Sequence, residues 1–150
     1  MKSKIAKTLI LQACIQKQQE LIDGFKQREV EMYNDTFRQN ATASQTENRK
    51  AGKVDLLKAI GNELAFAQQE LIYLNSIDVT GESTLIEPGA VVITDLLTFF
   101  IGVSSEKIEI DGEIIIGIST KAPIYASMNG LQKGSSFQFN ETKYVIEDVY

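Results

Sequence analysis

The side chains that most often carry enzyme chemistry are scarce in this sequence. Its 150 residues include no histidine and a single cysteine, Cys14. Without histidine the chain has no Ser-His or Cys-His nucleophile pair, and it lacks the commonest general base. One cysteine forms neither an intramolecular disulfide nor a cysteine-based zinc site. Because no glycine-rich phosphate-binding loop is present either, we expect a protein that is not an enzyme.

The overall composition favours a folded protein whose partners are other proteins. Apolar residues make up 43% of the chain, which is ordinary for a folded domain. The formal net charge is −5, and since non-specific binding to nucleic acid needs a basic surface, no direct specific DNA contact is expected. No stretch approaches the roughly 20 apolar residues of a membrane helix, and Lys7 interrupts the only stretch resembling a signal peptide. We therefore expect no membrane partner and a reducing cytoplasm as the location.

The first half of the chain has the hydrophobic repeat of two long helices. The clearest seam steps by three and four residues, as in a coiled-coil heptad, through Leu57, Ile60, Leu64, Ala67, Leu71 and Leu74. We predict a less regular first helix over residues 4–40, whose seam Gln18 interrupts, and a second helix over residues 47–76. The polar segment 40–46 is the predicted turn between them. Because the connection is short, the two helices should lie antiparallel, which makes the turn the tip of a coiled-coil finger.

Beyond residue 78 the apolar period changes to that of short β-strands. Residues 78–89 contain turn signals and form the predicted linker. The β-branched and aromatic runs that follow predict six strands, at residues 90–94, 98–103, 107–110, 113–118, 135–140 and 143–149. The neighbouring residues Phe99 and Phe100 should point to opposite faces of their strand, so that each is covered by a different layer.

Turn residues complete the prediction for this half. Asp111-Gly112 is a tight hairpin signal between two strands. Pro123 can begin a short helix, because the missing N–H of proline costs nothing at the first helical position, and Asn129-Gly130 can end it. The sequence therefore predicts an α+β protein, with the finger at residues 1–77 and a small antiparallel β domain with one short helix at residues 78–150.

The last third also carries an order of residues that can be matched to a known family. A strand end at Ser119, a helix start at Pro123 and a turn at Lys133-Gly134 precede two closing strands, Phe137–Asn140 and Tyr144–Val149. This order resembles the C-terminal domain of the bacterial Gre transcription elongation factors, which has an FKBP-like fold. The predicted finger is similar to the N-terminal antiparallel coiled coil of that family.

The resemblance implies a partner, RNA polymerase, and a mechanical role. In Gre factors the C-terminal domain grips the rim of the polymerase secondary channel, and the finger enters the channel toward the active site. The matching docking segment here is Lys121, Ala122, Pro123, Ile124 and Tyr125. Acidic tip residues in the family help to hold a second magnesium ion, which stimulates cleavage of backtracked RNA by the polymerase. No cofactor is expected in the isolated protein, and magnesium only at the tip within the polymerase complex.

This chain departs from the family at both sites. The candidates for the tip carboxylates are Glu47 and Asp35, which do not form a close acidic pair, and the adjacent Arg49-Lys50 would repel a cation. Glu47 could equally be an acid that favours a helix N-terminus, and Asp35 a solvated residue of a helix face. Ala122 replaces the serine that the family has before proline, and the docking segment could instead be a helix start with its side chains in the core.

Other functions stay open for the same sequence. A non-cleaving regulator of the secondary channel would use the finger to block or reshape the channel. A coiled-coil adaptor unrelated to polymerase would have the same combination of helices and β domain, and a pull-down would then yield a different partner. The heptads could also mark a homodimer, although the polar break at residues 40–46 favours a hairpin within one chain.

Overall fold

The protein is α+β, with two long helices followed by a six-stranded mixed sheet and a short third helix. The structure, a computed structural model, describes residues 4–37 and 43–150, and for residues 37–51 it describes no side chains. The elements are α1 (Lys7–Phe37), α2 (Ala43–Ser76), β1 (Val91–Thr94), β2 (Thr98–Gly102), β3 (Lys107–Ile110), β4 (Glu113–Ser119), α3 (Pro123–Met128), β5 (Ser136–Phe139) and β6 (Thr142–Val149). Among the described residues, no helix is both long and apolar enough to cross a membrane.

The predicted element bounds hold closely in the second half of the chain and less closely in the first. All six strands begin and end within one residue of the prediction, and α3 spans the predicted residues. The helix α1 begins at Lys7, three residues later than predicted, while α2 begins at Ala43, so that residues 43–46 of the predicted turn are helical. The remainder of that turn, residues 40–42, and residues 38–39 of the predicted first helix lie outside the described residues.

The sheet is mixed, so the prediction of an antiparallel β domain is wrong for one pair of strands. The strand order is β3-β4-β2-β1-β6-β5, and every neighbouring pair is antiparallel except β2 and β4, which are parallel. The isoleucine-rich strand β4 takes the interior position between two neighbours, whereas β3 exposes Lys107 and Glu109 and lies at the edge. Charged side chains are typical of an edge strand, and continuous apolar runs are typical of a strand inside a parallel pair.

The crossover between β2 and β4 depends on Gly117. Its backbone N–H donates to the hydroxyl of Ser105 at 3.1 Å, and the Ser105 N–H donates to the Gly117 carbonyl at 3.2 Å. A Cβ atom at this position would collide with the Val103 carbonyl and would lie 2.6 Å from the Ser105 Oγ atom. The absence of a side chain therefore lets the β2–β3 connection lie directly against β4.

The sheet carries a buried cluster on each face. On one face, Phe99 packs with α3 residues and with the closing strands; this cluster includes Val92, Ile101, Tyr125, Met128, Phe137, Tyr144 and Ile146. On the other face, Phe100 packs with residues from the ends of the long helices; this second cluster includes Ile5, Ile10, Cys14, Leu74, Val91, Ile93 and Tyr150. The prediction that the two phenylalanines point to opposite faces is confirmed.

The described contacts divide the chain into two compact units. One unit consists of Met1–Lys17 together with Ile72–Tyr150, and it holds the sheet, α3 and the two helix ends that pack on the sheet. The other unit is Gln18–Leu71 and contains the remaining length of both long helices. The predicted division into two domains at residue 77 stays a prediction.

Within the unit Gln18–Leu71, α1 and α2 share an apolar cluster. Ile22 and Phe25 of α1 pack with Leu64 and Ala67 of α2. Gln18, which interrupts the apolar seam, is only 5% exposed, and its Nε2 atom donates to the Ala67 carbonyl at 2.9 Å. The buried amide is therefore hydrogen-bonded across the two helices, which removes most of the cost of burying it.

Candidate functional site

The predicted docking segment lies at the start of α3, where proline begins the helix. Pro123 is the first helical residue, and Ala122 is the N-cap but provides no side-chain hydrogen bond to the helix. Lys121 and Pro123 are exposed, whereas Ala122 and Ile124 are half-buried and pack against the cluster on the α3 side of the sheet. The surface that this segment offers to a partner is therefore the Lys121 ammonium, the Pro123 ring and part of Ile124.

Tyr125, the last residue of the predicted segment, lies in the core. It is 9% exposed, belongs to the cluster on the α3 side of the sheet, and donates its hydroxyl proton to Asn129 Oδ1 at 3.0 Å. Burial raises the pKa of the Tyr125 phenol, and Tyr73 and Glu87 raise it further. Replacing Tyr125 would therefore test the stability of the fold together with any docking role.

The candidate carboxylate Asp35 lies near the end of α1 and makes an ion pair with α2. The Lys53 Nζ atom donates to Asp35 Oδ2 at 2.7 Å, and the Asp35 and Lys53 side chains are 68% and 37% exposed. Asp35 is thus solvated, but its negative charge is already balanced by a direct hydrogen-bonded cation. The second candidate, Glu47, is helical in its backbone, and its side chain lies outside the described part of the structure.

The described residues do not form a metal site. Where side chains are described, no group of three or more histidine, cysteine, aspartate or glutamate side chains could hold a metal ion. The carboxylate of Asp35 has a lysine rather than a second acid beside it. A divalent cation is held best by several oxygen ligands with negative charge, so the described part of the helices does not fit magnesium.

The sequence reasoning missed Lys53, although a signal for it exists. In two antiparallel helices, residues equally distant from the turn lie opposite each other. Reflecting Asp35 through the middle of the predicted turn, at residue 43, gives residue 51, which lies between Lys50 and Lys53. The sequence could therefore have indicated a lysine partner for Asp35, but not the choice of Lys53 over Lys50.

A second set of polar contacts, also missed, joins residues 4–7 to the end of the sheet and to the linker. The Tyr150 hydroxyl donates to the Ile5 carbonyl at 2.6 Å and accepts the Ile5 N–H at 2.9 Å. Lys4 lies 3.2 Å from Asp148 and 5.2 Å from the centre of the Tyr150 ring. Lys7 is buried and donates to the Gly81 carbonyl at 2.8 Å. We call these contacts the Tyr150 clamp.

Burial changes the acidity of the groups in and near the Tyr150 clamp. It lowers the pKa of Lys7, although the carboxylates of Glu87, Glu82 and Asp78 oppose this effect. It raises the pKa of Tyr150, and the hydrogen bond from the Ile5 backbone partly offsets the rise. Burial also raises the pKa of Cys14 to about 11, so this thiol is protonated at neutral pH and is a poor nucleophile.

Cys14 is a buried free cysteine in a mainly apolar environment. It lies in the cluster between the helix ends and the sheet.

No protein-family model matches this chain, and no curated protein sequence matches it.

Proposed function

We propose that this protein is a Gre-like factor that binds RNA polymerase at the rim of its secondary channel. In this proposal the unit containing the sheet docks on the rim, and the two long helices form a coiled-coil finger that enters the channel. The proposal includes an FKBP-like fold for the region after residue 78. Its expected effect is on backtracked transcription complexes.

The observation that carries the proposal is the order of elements in the chain. Two helices of 31 and 34 residues precede six strands, and the short helix that begins at Pro123 lies between β4 and the closing β5–β6 hairpin. At about 1.5 Å per residue each long helix spans roughly 50 Å, which is a suitable length for a probe that reaches into a deep channel. Two contacts support an antiparallel arrangement, because Gln18 of α1 meets Ala67 of α2, whereas Asp35, later in α1, meets Lys53, earlier in α2.

The non-cleaving form of this function is favoured by the ion pair between Asp35 and Lys53. A factor that stimulates cleavage must offer a carboxylate to a metal ion, and this carboxylate is bound to an ammonium group. We therefore propose that the protein occupies or reshapes the channel rather than stimulating RNA cleavage. A cleavage assay on stalled complexes, with and without the protein, separates the two forms.

The first experiment measures binding of the full chain to core RNA polymerase from the same organism. The docking variant is Lys121→Glu with Pro123→Ala, since both side chains are exposed and neither substitution opens the core. The matched control is Lys107→Glu, which makes the same charge change on the edge strand β3. Thermal unfolding of each variant verifies that the fold is retained.

We expect saturable binding that the docking variant weakens by about tenfold and that the control changes by less than about twofold, since loss of a central contact costs roughly 1–2 kcal/mol. Equal weakening by both variants would indicate a general charge effect and not a docking segment. Absence of binding at high protein concentration would refute the proposal and leave the adaptor function as the better one.

A further inference from the structure

The ion pair between Asp35 and Lys53 joins two different helices at one level of the unit Gln18–Leu71. The Lys53 Nζ atom and the Asp35 Oδ2 atom are 2.7 Å apart, which is a direct charge-assisted hydrogen bond. Val30, Tyr33 and Leu57 line a groove of about 270 Å³ in the same unit, together with Glu29. Both helices thus contribute charged and apolar side chains to the surface of this unit.

We propose that Lys53 prevents the Asp35 carboxylate from binding a divalent cation. An ammonium group at hydrogen-bond distance occupies one carboxylate oxygen and cancels the negative charge that would attract Mg²⁺ or Mn²⁺. In the biological setting the inference rests on the proposed function, since Lys53 would then withhold one of the two candidate tip carboxylates, Asp35, from a metal ion. Its test requires no polymerase.

Replacing Lys53 would change the charge beside the Asp35 carboxylate. A glutamate at position 53 would place a second carboxylate beside Asp35, and paired carboxylates are the usual way in which proteins hold a hard cation. The side chains of Asp35 and Lys53 are partly solvated, so water can complete the coordination of such an ion. We therefore expect this single substitution to convert the ion pair into an acidic pair.

The experiment measures Mn²⁺ binding to the full chain by the loss of the electron paramagnetic resonance signal of free Mn²⁺, followed by competition with Mg²⁺. The variants are Lys53→Glu, Lys53→Gln, Asp35→Asn and the double variant Lys53→Glu with Asp35→Asn. Lys58→Glu is the matched control, because it makes the same charge change at an exposed lysine elsewhere in α2. Circular dichroism confirms that each variant keeps its helices.

We expect Lys53→Glu to bind Mn²⁺ about tenfold more tightly than Lys58→Glu, and Lys53→Gln to bind it about threefold more tightly than the wild type, because ligand charge sets cation affinity. The double variant should lose the gain, and Asp35→Asn alone should leave wild-type binding within about twofold, since only a free carboxylate contributes.

Two results would overturn the inference. Equal Mn²⁺ affinity for Lys53→Glu and Lys58→Glu would show that Lys53 does not prevent the Asp35 carboxylate from binding a cation. Clear weakening of wild-type binding by Asp35→Asn would show that Asp35 is already a ligand. Either result leaves the polymerase-binding proposal intact, and failure of polymerase binding leaves these measurements intact, so the two proposals fail separately.

Discussion

Removing the Tyr150 hydroxyl should destabilise the protein through two backbone groups rather than through lost packing. Tyr150→Phe keeps the ring in place but deletes the acceptor of the Ile5 N–H and the donor to the Ile5 carbonyl, which lie 2.9 and 2.6 Å from it. Ile5 and Tyr150 are each only 7% exposed, so these groups would lose their partner at a place that water reaches only in part.

The size of the effect follows from the cost of unpaired buried groups. Each buried backbone group left without a partner costs about 1–3 kcal/mol, which gives roughly 2–6 kcal/mol for the pair. A cavity of about 360 Å³ borders Ile5 and Tyr150, so water can replace part of the lost bonding. We therefore expect Tyr150→Phe to lower the free energy of unfolding by about 2–3 kcal/mol, and the melting temperature by roughly 4–12 °C.

Urea unfolding followed by circular dichroism measures this change, with Tyr73→Phe as the control because Tyr73 is 37% exposed. The control should stay within about 0.5 kcal/mol of the wild type, as is usual for a surface substitution. A loss below about 0.5 kcal/mol for Tyr150→Phe, at an unchanged urea dependence, would refute the reasoning, since it would mean that the two hydrogen bonds add nothing beyond water.

Three further predictions concern stability and can be checked by the same unfolding assay. Burial raises the pKa of Cys14 from 9.0 to about 11, so the folded chain keeps a proton that the unfolded chain loses, and the stabilising contribution is complete below pH 9 and lost as the pH rises through 11. The wild type should therefore lose about 2 kcal/mol more than Cys14→Ala over this range, and parallel curves would contradict the assignment. Gly117→Ala should lower the free energy of unfolding by about 2 kcal/mol, because the added Cβ collides with the β2–β3 connection. The control Gly24→Ala, in an open helical position, should raise the free energy of unfolding by up to about 1 kcal/mol. A neutral effect of Gly117→Ala would show that the connection has room for a side chain. Glu141 has a φ of 66°, so Glu141→Gly should stabilise the protein by about 1 kcal/mol through the β5–β6 turn. The control Glu147→Gly, within β6, should instead destabilise the protein. Equal effects of the two substitutions would mean that the turn carries no strain.

The strands and the third helix could be predicted because local chemistry determines them. Asp111 and Gly112 both have positive φ angles, which is what a tight hairpin turn requires and what an Asp-Gly pair tolerates. Pro123 fixes the first backbone angle of α3, and Gly130, with a φ of 75°, follows its end. These turn and helix-end conformations depend on a few neighbouring residues, so they can be predicted from a single sequence.

The parallel pairing of β2 with β4 could not be predicted in the same way. The connection between β2 and β3 is short enough for a hairpin, and the choice of β4 as the partner depends on Gly117 approaching Ser105, twelve residues earlier in the chain. The Tyr150 clamp likewise joins residues 145 positions apart. Pairings at such separations leave no periodic signal, because each is decided by a single close contact in the folded chain.

The heptad seam of α2 also shows what a sequence pattern does not predict, and this affects how function should be tested. Leu64 and Ala67 pack against α1, but Leu74, on the same seam, packs with Phe100 in the cluster on the sheet. A hydrophobic period therefore predicts that a residue is buried and not which element covers it. Tyr125, which the resemblance placed in the docking segment, is likewise buried and packs from α3 into the core on that side of the sheet. Function is therefore better tested at exposed or half-buried positions outside the core, such as Lys121 and Lys53, where a substitution changes the surface that a partner or an ion contacts.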